Sequence, residues 1–132
     1  MKTKNYKYVT CTKLGDHIFL AEYAKNLSVD LAVAREIVSN RLEFTNKEEQ
    51  YAVIDLSNIK DVTAEAKQYL QHTEGGLQKL KAAAFFATNP VATLLANVYA
   101  KTPAPFESRF FSSKDLALDW IKERMEEDKI AN

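Results

Sequence analysis

Few side chains in this chain could do chemistry, and each needs a geometry that the sequence must supply. Cys11 with His17 or His72 would make a thiol nucleophile and its base if sulfur and imidazole came within ~3 Å of each other. Cys11 and His17 fall on opposite arms of a predicted hairpin, which permits proximity. No third residue orients the imidazole, however, and no oxyanion donor is evident, so a small buried thiol is the stronger reading of Cys11. The carboxylate runs Glu48 and Glu49, and Glu126, Glu127 and Asp128, lie on a predicted loop and tail and read as solvated surface. No Walker loop, GxGxxG or GxSxG occurs, and no Cys/His spacing resembles a zinc site. The sequence therefore predicts no enzymatic activity, no cofactor and no metal.

A second set of polar residues asks for binding rather than catalysis. Asp55, Ser57, Asn58, Asp61, Thr63, Glu65, Thr88 and Asn89 all follow predicted strands or open predicted helices. In a parallel α/β sheet, ligand sites lie beyond the carboxyl ends of the strands, where helix N-termini present unpaired N–H groups. The connections 57–61, 88–89 and 112–113 are expected to emerge there together and form a rim for a partner or an anionic ligand. Each residue also has a plain structural role: Thr63, Asn89 and Ser112 as helix caps, Ser57 and Asn58 as turn formers, Asp55 as a strand-end acceptor.

The elements that would position this rim are legible from periodicity. Residues 5–13 and 17–23 are β-branched and aromatic and are parted only by Leu14, Gly15 and Asp16, which predicts a hairpin with Gly15 able to take φ > 0. In the first strand Tyr6, Tyr8, Thr10 and Thr12 alternate with Val9 and Cys11, as in a strand at or near a sheet edge, where it could pair with a second copy. Leu31, Ala34, Ile37, Val38 and Leu42 recur at helical spacing, so helix one is expected over 29–44 with Ser28 as N-cap. Tyr51 to Leu56 is apolar on successive residues, the mark of a central parallel strand covered on both faces. Thr63 opens helix two, with Ala66, Tyr69 and Leu70 as its apolar stripe, and Gly75 and Gly76 fit its end.

Ala82 to Ala87 is read as a strand because it is short, carries Phe85 and Phe86, and runs straight into Thr88, Asn89 and Pro90. Asn before Pro is a helix-start signal, and Val91, Leu94, Leu95, Val98 and Tyr99 give helix three. Phe106 to Phe111 is the last strand. Ser112 with Asp115 opens helix four, docked by Ala117, Trp120, Ile121 and Met125, and 126–132 is expected to fray. The predicted order is ββαβαβαβα: a mixed sheet with an N-terminal hairpin followed by parallel β/α units, in a single α/β domain over 1–132.

Composition narrows the function classes. Eighteen Lys and Arg balance eighteen Asp and Glu in 132 residues, so no net field draws the chain to nucleic acid. No apolar run approaches the ~18 residues of a membrane span, and the N-terminal residues lack the apolar core of a signal peptide. One cysteine suits a reducing compartment, and the cytoplasm is the expected location.

The segment VIDLSNIKDVTAEA, residues 53–66, resembles the strand-turn-helix signature of the STAS family, the anti-sigma-factor antagonists of bacteria and their relatives. The residues AKQYL at 66–70, 91–97 with the following Pro103 and Pro105, 109–111 and 117–121 resemble more narrowly a STAS-like family of uncharacterised small bacterial proteins. The resemblance implies a STAS-like fold over nearly the whole chain and a non-enzymatic regulatory module that meets a protein partner. In signalling members a Ser at the start of the second helix is phosphorylated. Counting from Asp55 puts Thr63 on the family's Asp and Ala64 and Glu65 on its two Ser positions, so the phosphoacceptor is missing and Glu65 stands as a fixed negative charge. Helix-dipole complementarity is the plainer reading of a Glu there. Thr63 would become an acceptor only if the alignment slipped by two residues.

Asp55 at a strand end is also similar to the phosphoacceptor of response-regulator receivers. Those need an acidic pair after the first strand and a Lys after the last parallel strand, whereas this chain opens with a hairpin and has Phe110, Phe111 and Ser112 at the last position. The competing function is a small-molecule or lipid binder, with Phe85, Phe86, Tyr99, Phe110 and Phe111 lining an apolar pocket between sheet and helices; core packing is the plainer reading of those rings.

Overall fold

The computed structural model describes residues 2–89 and 106–131. Its main sheet has six strands in the order β1-β2-β3-β5-β7-β8: β1 Thr3–Asn5, β2 Val9–Gly15, β3 Ile18–Tyr23, β5 Gln50–Asp55, β7 Leu80–Phe86 and β8 Glu107–Phe111. β1, β2 and β3 pair antiparallel, and β3, β5, β7 and β8 run parallel. A small second sheet pairs β4 Leu27–Val29 with β6 Ile59–Val62, also parallel. The helices are α1 Leu31–Phe44, α2 Ala64–Leu70 and α3 Lys114–Ala131. The mixed sheet, the N-terminal hairpin and the parallel β/α units are as the sequence predicts. The helix expected over Val91 to Tyr99, its Pro90 start and the Pro103 and Pro105 stop lie outside the described residues.

Successive residues of β5 point to opposite faces, and both faces are covered, which is why the run is continuously apolar. Ala52 and Ile54 join Val9, Cys11, Phe19, Ala21, Ala83 and Phe85 under α1 and α2. Tyr51 and Val53 join Ile18, Leu20, Ala82, Ala84 and Phe86 under α3, which inserts Ala117 and Ile121 and rests Trp120 and Met125 at the border. The alanines of β7 let α3 approach closely, and Ala84, Ala117 and Ile121 have no solvent exposure.

Several local expectations are corrected. The predicted first strand is two strands: Tyr6 N–H donates to Val9 O, turning the chain so that β1 folds onto β2. The edge is therefore the three-residue β1, and β2 is paired on both sides. In the β2–β3 turn the left-handed residue is His17 (φ 62°) and not Gly15, because the register shift between Lys13 and Gly15 absorbs the irregularity one residue earlier. Helix α1 is capped by Asp30, whose Oδ1 accepts from Val33 N at 2.9 Å. Ser28 lies in β4, held laterally against β6, and is unavailable as a cap. Helix α3 is capped by Ser113 rather than Ser112: Ser113 Oγ accepts from Leu116 N and its carbonyl from Ala117 N.

The charged tail, expected to fray, continues the last helix. Residues 126–131 are helical because Tyr51 Oη donates to Asp128 and Arg124 bridges Glu107 of β8 and Glu127.

Candidate functional site

The rim forms, but most of its polar groups are engaged within it. Asp55 closes β5, and its Oδ1 accepts from Ser57 N at 2.9 Å, fixing the chain's exit from the sheet. Leu56 N donates to Phe86 O at 2.8 Å, which brings the turns after β5 and β7 together. Ser57 Oγ accepts from Thr88 N at 3.0 Å, the Thr88 hydroxyl lies 3.1 Å away, and Asn89 Nδ2 donates to Ser57 O. Asn58 Nδ2 donates to Tyr23 O at 3.0 Å, pinning the loop to the end of β3. Thr63 caps α2, with Oγ1 accepting from Ala66 N at 3.2 Å.

β8 runs parallel to β7, with Phe111 opposite Phe86, so its outgoing turn emerges at the same end. The helix starts do not converge as expected. β6 is interposed between Ser57 and Thr63 and carries the start of α2 about 13 Å away along a four-residue strand. The helix start after Asn89 lies outside the described residues.

Asp61 and Glu65 are left exposed, with no hydrogen-bond or charge partner among the described residues. They sit on stiff supports: β6 is paired to β4, and α2 is capped. Beside Glu65 a groove of about 400 Å³ runs between the start of α1 and α2, lined by Leu31, Glu65, Gln68, Tyr69, His72 and Glu74. Arg35 stacks over the Tyr69 ring at 5.9 Å from its centre.

The thiol–imidazole pair does not assemble. Cys11 lies inside the sheet opposite Ala21 and is fully buried, whereas His17 is exposed at the hairpin tip with Nδ1 on Glu49 O. His72 is exposed and accepts from Glu74 N. Burial pushes the Cys11 thiol up to about 11, against the opposing pull of Arg41. Among the described residues no cluster of His, Cys, Asp or Glu is arranged to hold a metal.

The aromatic residues do not share one pocket either. Phe85 and Phe110 face α1 and α2, Phe86 and Phe111 face α3 with Phe111 against Trp120, and Tyr99 lies outside the described residues. What does form is a cavity of about 60 Å³ between the sheet and α1, with Cys11, Phe19, Ile37, Leu77 and Phe85 in its wall.

That wall also holds Arg41, only 7% exposed, which the sequence reading missed. Its guanidinium donates from Nη1 to Gln78 O at 2.7 Å and from Nη2 to Gly76 O at 3.1 Å. Desolvation lowers its pKa to about 10, and among the described residues Tyr23, Cys11 and Tyr69 act to raise it. At neutral pH it is a buried cation whose polar neighbours are themselves neutral. The signal was present: Arg41 stands at i+3 and i+4 from Val38 and Ile37, inside the apolar stripe of α1.

Comparison with known proteins follows the architecture. No curated protein matches the chain in sequence. A crystal structure of an uncharacterized protein of the DUF3478 family from Shewanella loihica PV-4, described as having a SpoIIAA-like fold, superposes with a TM-score of 0.57 at 18% identity, covering 86% of this chain and 91% of that one. The STAS-like fold implied by residues 53–66 is thereby established as the fold of this chain. At the level of sequence, the profile of the family described as Domain of unknown function (DUF7793) matches residues 12–125, and the chain belongs to that family.

Proposed function

We propose that the chain is a non-catalytic interaction module of the cell interior that meets a protein partner through β6 and α2. The observation that carries this reading is the contrast within the rim. Asp55, Ser57, Asn58, Thr63, Thr88 and Asn89 bond internally and build the platform. Glu65 projects from it on the groove at Tyr69, and Asp61 stands exposed on β6. The carboxylates of Glu65 and Glu74 flank the half-buried Leu31 and Tyr69, a combination suited to a partner segment with a basic side chain next to an apolar one. Thr63 caps α2 through its hydroxyl, and Glu65 sets a fixed negative charge in the first turn of that helix.

The test is affinity capture from the source cell with wild type, Glu65→Lys and a control, Lys122→Glu, on the exposed side of α3. The expected result is a defined partner recovered by wild type and the control and lost with Glu65→Lys. Equal recovery by all three would remove β6 and α2 from the interface.

A further inference from the structure

Arg41 is a buried charge with no countercharge among the described residues. An ion of this kind costs several kcal/mol of desolvation unless it is well compensated. Among the described residues its compensation is two backbone carbonyls from the segment 71–79, which is neither helix nor strand. A guanidinium is a planar fork shaped for the two oxygens of one carboxylate, and charge-assisted pairs of that geometry are about twice as strong as neutral hydrogen bonds. The Gly76 and Gln78 carbonyls thus stand where a carboxylate would fit better. The rest of the cavity wall is apolar: Phe19, Ile37, Ile54, Leu77 and Phe85.

We propose that this cavity is the head-group end of a binding site for an aliphatic monocarboxylate. The carboxylate replaces the two carbonyls on Arg41, and the chain follows the apolar wall beneath 71–79. A single negative charge brings the site to neutrality, whereas a phosphate monoester dianion would leave a surplus buried charge, an alcohol would leave Arg41 uncompensated and an ammonium would repel it. The cavity, about 60 Å³, has room for a few water molecules only. The aliphatic chain is therefore accommodated by outward movement of the part-buried Leu77, while its segment stays anchored by turn hydrogen bonds to Tyr69 O and His72 O. The inference does not rest on the β6–α2 reading, although the segment 71–79 borders both places, with His72 and Glu74 on the groove and Leu77 on the cavity.

The experiment titrates sodium octanoate into the 132-residue protein and follows methyl and amide NMR signals, with 1-octanol, octylammonium and octyl phosphate as comparators. Octanoate should saturate with shifts at Ile37, Leu77 and Leu80, and octanol should bind at least about tenfold more weakly. Arg41→Met, if its amide spectrum shows a folded protein, should bind octanoate no better than octanol. If that variant does not fold, the wild-type comparison of octanoate with octanol decides alone. Equal affinity for octanoate and octanol, shifts confined to other surfaces, no saturation in the millimolar range, or tighter binding of octyl phosphate would each overturn the proposal.

Discussion

Gly76→Ala is the sharpest probe of how the segment 71–79 closes over the sheet. The added Cβ would lie 2.3 Å from the Leu70 carbonyl oxygen, 2.5 Å from Leu70 Cα and 2.7 Å from its carbonyl carbon. All three are backbone atoms of the last turn of α2, so no flexible side chain can swing aside. Overpacking costs roughly 1–3 kcal/mol where side chains can adjust, and here the upper end applies. Alanine also restricts the unfolded chain, which offsets about 0.4–1 kcal/mol. The net loss is therefore about 2 kcal/mol.

At about 4 °C per kcal/mol for a chain of this length, Tm should fall by about 8 °C. The assay is thermal and urea denaturation followed by circular dichroism. The control is Gly15→Ala, whose new Cβ meets nothing closer than Ile18 Cδ1 at 3.7 Å and whose backbone does not have positive φ. It should match wild type or exceed it slightly. A Gly76→Ala protein within about 0.5 kcal/mol of wild type would refute the close approach of residue 76 to α2.

Three further outcomes are expected. Tyr51→Phe removes the hydrogen bond to Asp128 and should cost about 1.5 kcal/mol, with faster amide exchange in the last turns of α3; unchanged exchange there would show that the bond does not tether the tail. Burial first, and then Asp128, holds the Tyr51 phenol above its usual pKa. Its contribution is thus present below pH ~10 and lost as pH rises through the folded value, an alkaline loss that a pH series of urea melts should find in wild type and not in the Phe variant.

Cys11, fully buried and with its thiol pushed up to about 11, should resist iodoacetamide at pH 8 until urea unfolds the protein; rapid alkylation of native protein would contradict its placement. Ile121→Ala empties a fully buried position under α3 and should cost about 2–5 kcal/mol in urea melts, and a cost below 1 kcal/mol would mean that α3 is not seated on the alanines of β7.

Strand and helix identity was legible wherever burial imposes a period. The unbroken apolar run after Gln50 could be satisfied only by a strand covered on both faces, and Ala82 to Phe86 was read correctly from its length and flanks despite the helix preference of alanine. Thr63 was read correctly as a cap because the next residues are helical by pattern and a hydroxyl there meets an orphan N–H. Ser28 and Ser112 failed by the same rule. A cap depends on where the neighbouring strand ends, and β4 and Ser113 were invisible to local pattern.

The candidate site divides the same way. The sequence by itself determined that polar turn residues follow the parallel strands, because buried strands must exit into water through residues that bond their own backbone. It also shows that no Walker loop, GxGxxG or GxSxG is present. Only the tertiary structure decided which of those residues bond to one another, that β6 stands between Ser57 and α2, and that the Gly76 and Gln78 carbonyls meet Arg41. Pairing between β4 and β6 and the closure of 71–79 over the sheet are contacts between distant segments. Their energy comes from surfaces that do not exist until the chain has folded, and no local periodicity carries a trace of them.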